Sequence, residues 1–184
     1  VPRIPKLDIA GLSPEQRSVY DTIISGPRRK VAGPLAIWLE SAEFADKAQA
    51  LGAFCRYGSS LPPRLSELAI LITGALWKAG YEWYSHAPLA IAAGIDPAIV
   101  EAIRTGQAPT LARLDEQAVY ALARELLDTR QVSDATYQQA VTQLGQKGVV
   151  ELVGILGYYT LISMTIKTFE VAVPEGATEP FADT

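Results

Sequence analysis

Glu82 and His86 stand four residues apart, so on a helix they share one face with their side chains in reach of each other. A carboxylate beside an imidazole holds its tautomer and raises its pKa, which suits general acid-base work near neutral pH. Glu67 lies in an earlier apolar run, among Leu65, Leu68, Ala69, Ile70 and Leu71. A carboxylate there has to be paired or functional, because an unpaired buried charge is expensive. Tyr81, next to Glu82, offers a hydroxyl able to relay a proton. Each residue also has a structural reading. Glu67 can pair with Arg64 three residues earlier, Glu82 can pair with Lys78, and His86 can be a core histidine bonded to a backbone carbonyl. An i,i+4 Glu/His pair is common, and spacing alone leaves both readings open.

The elements that must position these groups are helices. Ser13-Pro14-Glu15-Gln16 joins an N-cap serine, a proline at the first helical position and a glutamine three residues after the cap, opening a helix over 14–25. Ser41 caps a second over 42–57, with Phe44, Ala48, Leu51 and Cys55 on one inward stripe. Pro62-Pro63 opens a long apolar helix over 63–78 that Gly80 ends, and another follows over 81–93 to Gly94. Asp96-Pro97 caps 97–104, which Gly106 ends. An amphipathic stretch over 115–129 turns Val119, Leu122, Ala123, Leu126 and Leu127 inward. Ser133 caps 134–144, and Gly148 precedes a long apolar helix to about residue 169. No segment alternates with period two for long enough to demand a sheet. The expected fold is all-α, a single domain over 1–184, with 171–184 an extended acidic tail lying over a neighbour.

Composition narrows the chemistry. The chain has 184 residues, 49% of them hydrophobic, with one cysteine and one histidine. One cysteine excludes an intramolecular disulfide framework and Cys-rich zinc sites, and one histidine excludes His-pair metal motifs within a chain. The net charge of -4 resides in the tail, where Glu170, Glu175, Glu179 and Asp183 have no compensating base after Lys167. The body is near neutral, so duplex nucleic acid is not an expected partner. Arg28-Arg29-Lys30 is the one dense basic cluster, read as a solvated loop or, alternatively, as a device that steers an anionic small molecule. The uncharged apolar stretch 152–166 is shorter than the ~20 residues that span a bilayer, and residues 1–6 carry no apolar leader. A soluble, cytoplasmic protein without a membrane partner is expected. A mean hydropathy of +0.14 and helices that are apolar nearly all round point to burial in a subunit interface.

Three runs of residues carry a resemblance: Pro-Arg-Leu-Ser-Glu-Leu-Ala-Ile-Leu (63–71), Tyr-Glu-Trp-Tyr-Ser-His (81–86) and Ala-Pro-Leu-Ala-Ile-Ala-Ala-Gly (87–94). Together they resemble the core motif of the carboxymuconolactone decarboxylase family, which includes the alkylhydroperoxidase-type proteins. Arg56-Tyr57-Gly58-Ser59-Ser60-Leu61 and Glu151-Leu152-Val153 with Gly157-Tyr158-Tyr159-Thr160 extend the likeness over most of the chain. The resemblance implies an alkylhydroperoxidase-like helical bundle that assembles as a homotrimer or homohexamer with active sites at subunit contacts. In the alkylhydroperoxidase branch a Cys-x-x-Cys pair precedes a His, with a Glu one helix earlier. Here His86 and Glu67 fill the last two places, while Ala79 and Glu82 stand where the cysteines would be and Tyr81 where a relay residue lies between them. Both thiols are absent, and Cys55, distant in sequence, reads as a small core residue.

What the substitution leaves is a proton-handling set, the pattern of the decarboxylase-like branch, which needs neither metal nor organic cofactor. The resemblance implies a decarboxylase for a carboxymuconolactone-like small anionic substrate. His86 would donate the proton, Glu82 would orient and charge it, Glu67 would be the second carboxylate of the relay, and Tyr81 would donate to the developing oxyanion. Arg64 and Arg56 are the candidates for the substrate's carboxylate. A cofactor-free isomerase or lactone hydrolase on the same residues, and a non-catalytic oligomeric scaffold, are the alternatives.

Overall fold

A computed structural model describes residues 3–184, and every regular element among them is helical. Eight α-helices follow in order: α1 (Pro14–Ser25), α2 (Pro34–Trp38), α3 (Ala42–Ala53), α4 (Pro63–Leu76), α5 (Gly80–Ala92), α6 (Pro97–Arg104), α7 (Leu114–Thr129) and α8 (Asp134–Phe169). A single π-helical turn, Phe54–Gly58, continues α3. The first cap forms as the sequence implies. The Gln16 amide N–H donates to Ser13 Oγ at 3.2 Å and the Ser13 N–H donates to Gln16 Oε1 at 2.9 Å, closing a capping box.

Helix α4 is the axis of the molecule. It packs on α5, α6, α7 and α8, and its residues 65–74 are all buried. A helix apolar all round has to be enclosed. For α4 the chain's own helices do the enclosing, where the sequence pointed to a partner subunit.

The long C-terminal element is two helices joined at Gly145, whose φ of 71° and ψ of 165° are open to glycine and almost nothing else. The break thus falls three residues before Gly148, the boundary expected from sequence. Beyond it Leu152, Ile155, Leu156, Tyr158, Tyr159, Ile162 and Ile166 line the core. By length and composition α8 is apolar enough to cross a membrane, yet 61% of its most apolar window is buried inside the chain, as in a core helix.

One expectation changes. On α3 the inward residues are Ala45, Ala48 and Gly52, while Phe44 and Leu51 are 42% and 49% exposed. Small side chains let α3 close in on α1 and α2, and the bulky ones are left on the rim, Phe44 edge-on to Trp38 at 5.5 Å. The end of the tail turns back on its own chain. Phe181 is buried edge-on against Trp83 at 5.3 Å, and Arg104 donates to the Pro180 carbonyl and to Asp183 Oδ1, each at 2.6 Å.

Candidate functional site

Helices α4 and α5 are joined by a tight turn in which Lys78 has a φ of 45° and the Ala79 N–H donates to the Gly74 carbonyl at 2.9 Å. The turn lays α5 alongside the middle of α4 and brings Glu67 against His86. His86 Nδ1 lies 2.7 Å from Glu67 Oε2, and Nε2 lies 2.9 Å from Glu82 Oε1 one turn earlier on α5. All three side chains are buried. The Glu67 contact is a hydrogen bond. The Glu82 contact is an ion pair, and Glu82 Oε1 is buried without a hydrogen-bond donor.

Burial alone would push the His86 pKa down. The charge of Glu82, the hydrogen bond to Glu67, the close approach of the Glu82 carboxylate and the charge of Glu67 outweigh it, and the pKa is lifted to about 9. At neutral pH the group is an imidazolium held between two carboxylates. Tyr159 stands edge-on to its ring at 5.3 Å and Tyr158 edge-on to Tyr159 at 5.3 Å. Burial, reinforced by Glu82 and Glu67, holds the Tyr159 phenol well above its ordinary pKa, and burial carries Tyr158 up to about 12. Both remain hydroxyl donors throughout the physiological range.

His86 and Glu82 open on a cleft of about 210 Å³. Its walls come from four places. Helix α5 gives Tyr81, Glu82, Ser85 and His86, and α8 gives Tyr158, Tyr159 and Ile162. The π-helical turn gives Arg56, while the α1–α2 loop and α2 give Arg28, Lys30, Ala32, Pro34 and Leu35. Trp38 pins α2 to α8 by donating from Nε1 to Thr165 Oγ1 at 2.9 Å. The loop is fixed to α5 by Gly33, at a φ of 56°, where any Cβ would run into the Tyr81 ring. A larger hollow of about 880 Å³, between residues 4–7 and 169–175, contains neither His86 nor Glu82.

Of the residues singled out from sequence, His86, Glu82, Tyr81 and Arg56 meet in this cleft. Glu67 is one layer back, reaching the cleft only through His86. Tyr81 is half-buried, and burial followed by the Glu82 charge raises its phenol pKa. Arg64 is the correction. Its guanidinium pairs with Asp115 Oδ2 at 2.6 Å and Glu116 Oε1 at 2.5 Å at the start of α7, and it does not line the cleft. Fully engaged there, it holds neither Glu67 nor a substrate. Cys55 is buried as expected, burial pushes its thiol pKa up, and it lies outside the cleft. Arg28, Lys30, Ser85, Tyr158 and Tyr159 were not assigned as site residues. The sequence signals for them were the basic run at 28–30 and, for Ser85, Tyr158 and Tyr159, their places in the runs that carry the family resemblance.

No known protein-family model matches the chain, and no curated protein matches it in sequence. Its shape has solved counterparts. An uncharacterized peroxidase-related protein from Ralstonia eutropha JMP134, described as an alkylhydroperoxidase AhpD core, aligns at a TM-score of 0.74 and 12% identity over 98% of this chain and 95% of that one. An uncharacterized peroxidase-related protein from Silicibacter sp. TM1040 aligns at 0.73 and 14% identity, over 95% and 94%. A protein of unknown function from Agrobacterium tumefaciens, described as a putative antioxidant defence protein AhpD, aligns at 0.66 and 11% identity, over 75% and 95%. The chain has the all-helical alkylhydroperoxidase fold.

Proposed function

We propose that the cleft is the active site of a cofactor-independent decarboxylase acting on a small carboxylated lactone of the carboxymuconolactone kind. One observation carries the reading: a buried imidazolium, ionised at neutral pH by two carboxylates, faces a cleft lined by cations and tyrosines. Thiol peroxide chemistry needs a reactive thiolate, and the single cysteine is buried away from the cleft with its pKa raised.

The chemistry follows from the electron count. The bond between a ring carbon and its carboxylate breaks, CO2 departs, and the electron pair moves into the unsaturated lactone as an enolate. Tyrosine hydroxyls from Tyr81 and Tyr159 stabilise charge developing on the lactone oxygen. The His86–Glu82 pair then delivers one proton to carbon, and solvent returns it. Glu67 holds the imidazole from behind at Nδ1, so the orienting role expected of Glu82 falls to Glu67, and the Glu82 charge at the cleft face keeps the imidazole protonated. Pro34, Leu35 and Ile162 offer an apolar wall for the departing carboxylate.

The same reading makes the protein a homotrimer or homohexamer. Leu51, Phe54, Tyr57, Val150 and Val153 are all more than 45% exposed, an excess of bulky apolar surface that a partner copy would cover. Spectrophotometric turnover of freshly generated carboxymuconolactone, with CO2 trapped in parallel, tests the assignment. Wild type is expected to release CO2 stoichiometrically with lactone loss. Lactone consumed without CO2 would make the protein a hydrolase or isomerase, and no turnover by any assembled form would leave a scaffold.

A further inference from the structure

Three cationic side chains line the cleft, and among the described residues none of them pairs with a carboxylate. Arg28 and Lys30 come from the α1–α2 loop. Arg56, from the π-helical turn, lies over the Tyr57 ring at 5.2 Å. Together with the His86 imidazolium they oppose two carboxylates, Glu67 and Glu82, so the site carries a surplus of two positive charges when both are ionised. Elsewhere the partly buried arginines Arg64 and Arg104 each find two acidic partners. The unmatched cations of the cleft await an anion.

Arg28 is the best defined of the three. Its Nη2 donates to Tyr158 Oη at a long 3.4 Å, and its Nε is buried with no acceptor at all. A buried guanidinium N–H without an acceptor is costly, and a planar edge of two N–H groups matches a carboxylate. Room for this arrangement is made by Gly52 on α3. A Cβ there would run into both Tyr158 Oη and Arg28 Nη2.

Decarboxylation restricts which carboxylate Arg28 can hold. A carboxylate gripped by a guanidinium keeps its charge, whereas the one that leaves must give its electron pair to the ring. The departing group therefore belongs on the apolar wall, and the cations belong to a group that stays.

We propose that Arg28, positioned by Gly52 and Tyr158, is a specificity-determining residue that holds a second, retained carboxylate, so that the cleft selects small dicarboxylates over monocarboxylates. This rests on the reading of the cleft as the site of a carboxylated substrate. It is tested by binding alone, so missing lactone turnover would count against that reading and leave the selectivity standing.

The measurement is isothermal calorimetry at neutral pH with glutarate and its monomethyl ester. Wild type is expected to bind glutarate about tenfold or more tightly than the ester, the difference one charge-assisted bidentate contact makes. In Arg28→Met the ratio is expected to fall to within about twofold. Gly52→Ala should lose most of the preference although it removes no charge, and Arg113→Met, at an exposed site outside the cleft, should keep it. Wild type that fails to bind glutarate, or binds both probes equally, overturns the proposal, as does an Arg28→Met protein that keeps the ratio. Should Arg28→Met not fold, a crystal of wild type with glutarate decides. A carboxylate within hydrogen-bond distance of the Arg28 guanidinium is expected, and both carboxylates bound elsewhere would refute the assignment.

Discussion

Three residues apart on α4, Arg64 and Glu67 belong to two ionic clusters of the same formal make-up. Each sets one cation against two carboxylates in a largely buried place. In the first, Arg64 spreads its guanidinium over Asp115 and Glu116, and the Glu116 N–H adds a 2.8 Å hydrogen bond to Asp115 Oδ1. In the second, the His86 imidazolium lies between Glu67 and Glu82, and one oxygen of Glu82 receives no hydrogen bond. The guanidinium cluster ties α4 to α7 and lies outside the cleft; the imidazolium cluster opens on it. Burial and charge are therefore poor guides to function by themselves. An unmatched group with access to a cavity, and a cation able to release its proton, separate the reactive cluster from the structural one.

The largest expected difference between them is catalytic. His86→Gln is expected to lower CO2 release per folded molecule by about 10²- to 10⁴-fold, the usual contribution of a general acid, and, because it leaves the buried Glu67 and Glu82 without their cation, to lower the melting temperature at neutral pH as well. Arg64→Met should lower stability alone. It leaves Asp115 and the buried Glu116 without their cation, a loss of about 3 kcal/mol in chemical denaturation, with kcat of the folded fraction unchanged. An inactive but fully stable Arg64→Met protein would erase the distinction.

Titration separates the clusters next. The His86 pKa is raised from an ordinary 6.5 to about 9. A raised pKa means that the folded state binds this proton more tightly than the unfolded chain. Its stabilising contribution is complete below about pH 6.5 and is lost as pH rises through about 9. Denaturation midpoints across that window should fall in wild type, and CO2 release should fall with the acid form. The sole histidine of the chain makes the assignment of its NMR signal unambiguous. Glu67→Gln should move both transitions toward lower pH. The guanidinium of Arg64 does not titrate there, so Arg64→Met should keep the wild-type pH slope. A flat stability profile in wild type would mean that His86 is neutral.

How much of this is visible in the chain depends on the range of the interaction. The Glu82–His86 pair is one helical turn long, and Pro62-Pro63 and Gly80 mark the helices that bear it. Glu67 was legible as a buried carboxylate, but spacing alone did not give its partner, which only the family resemblance placed at His86. The i,i+3 rule offers Arg64, and only the packing of α7 shows that Arg64 is already taken. Arg28 meets Tyr158 across 130 residues, a closeness that local pattern cannot encode; the basic run at 28–30 signals the charge and not its destination. On α3 the apolar stripe was read by hydrophobicity, and close packing chose the small residues instead.

The smallest effects lie within the guanidinium cluster and test why it is quiet. The Asp115 side chain is 31% exposed and that of Glu116 only 5%. Asp115→Asn is expected to cost about 0.5 kcal/mol, because water screens what is lost, and Glu116→Gln about 1 to 2 kcal/mol, because its charge-assisted bond is buried. Either single change leaves Arg64 with one carboxylate and removes the repulsion between the two acids. The double variant leaves the cation with none. Its cost in denaturant unfolding should therefore exceed the sum of the singles by about 0.5 kcal/mol or more. Strict additivity would mean that Arg64 is solvated rather than held. The completeness of matching would then no longer explain why one cluster on α4 is inert while its neighbour reacts.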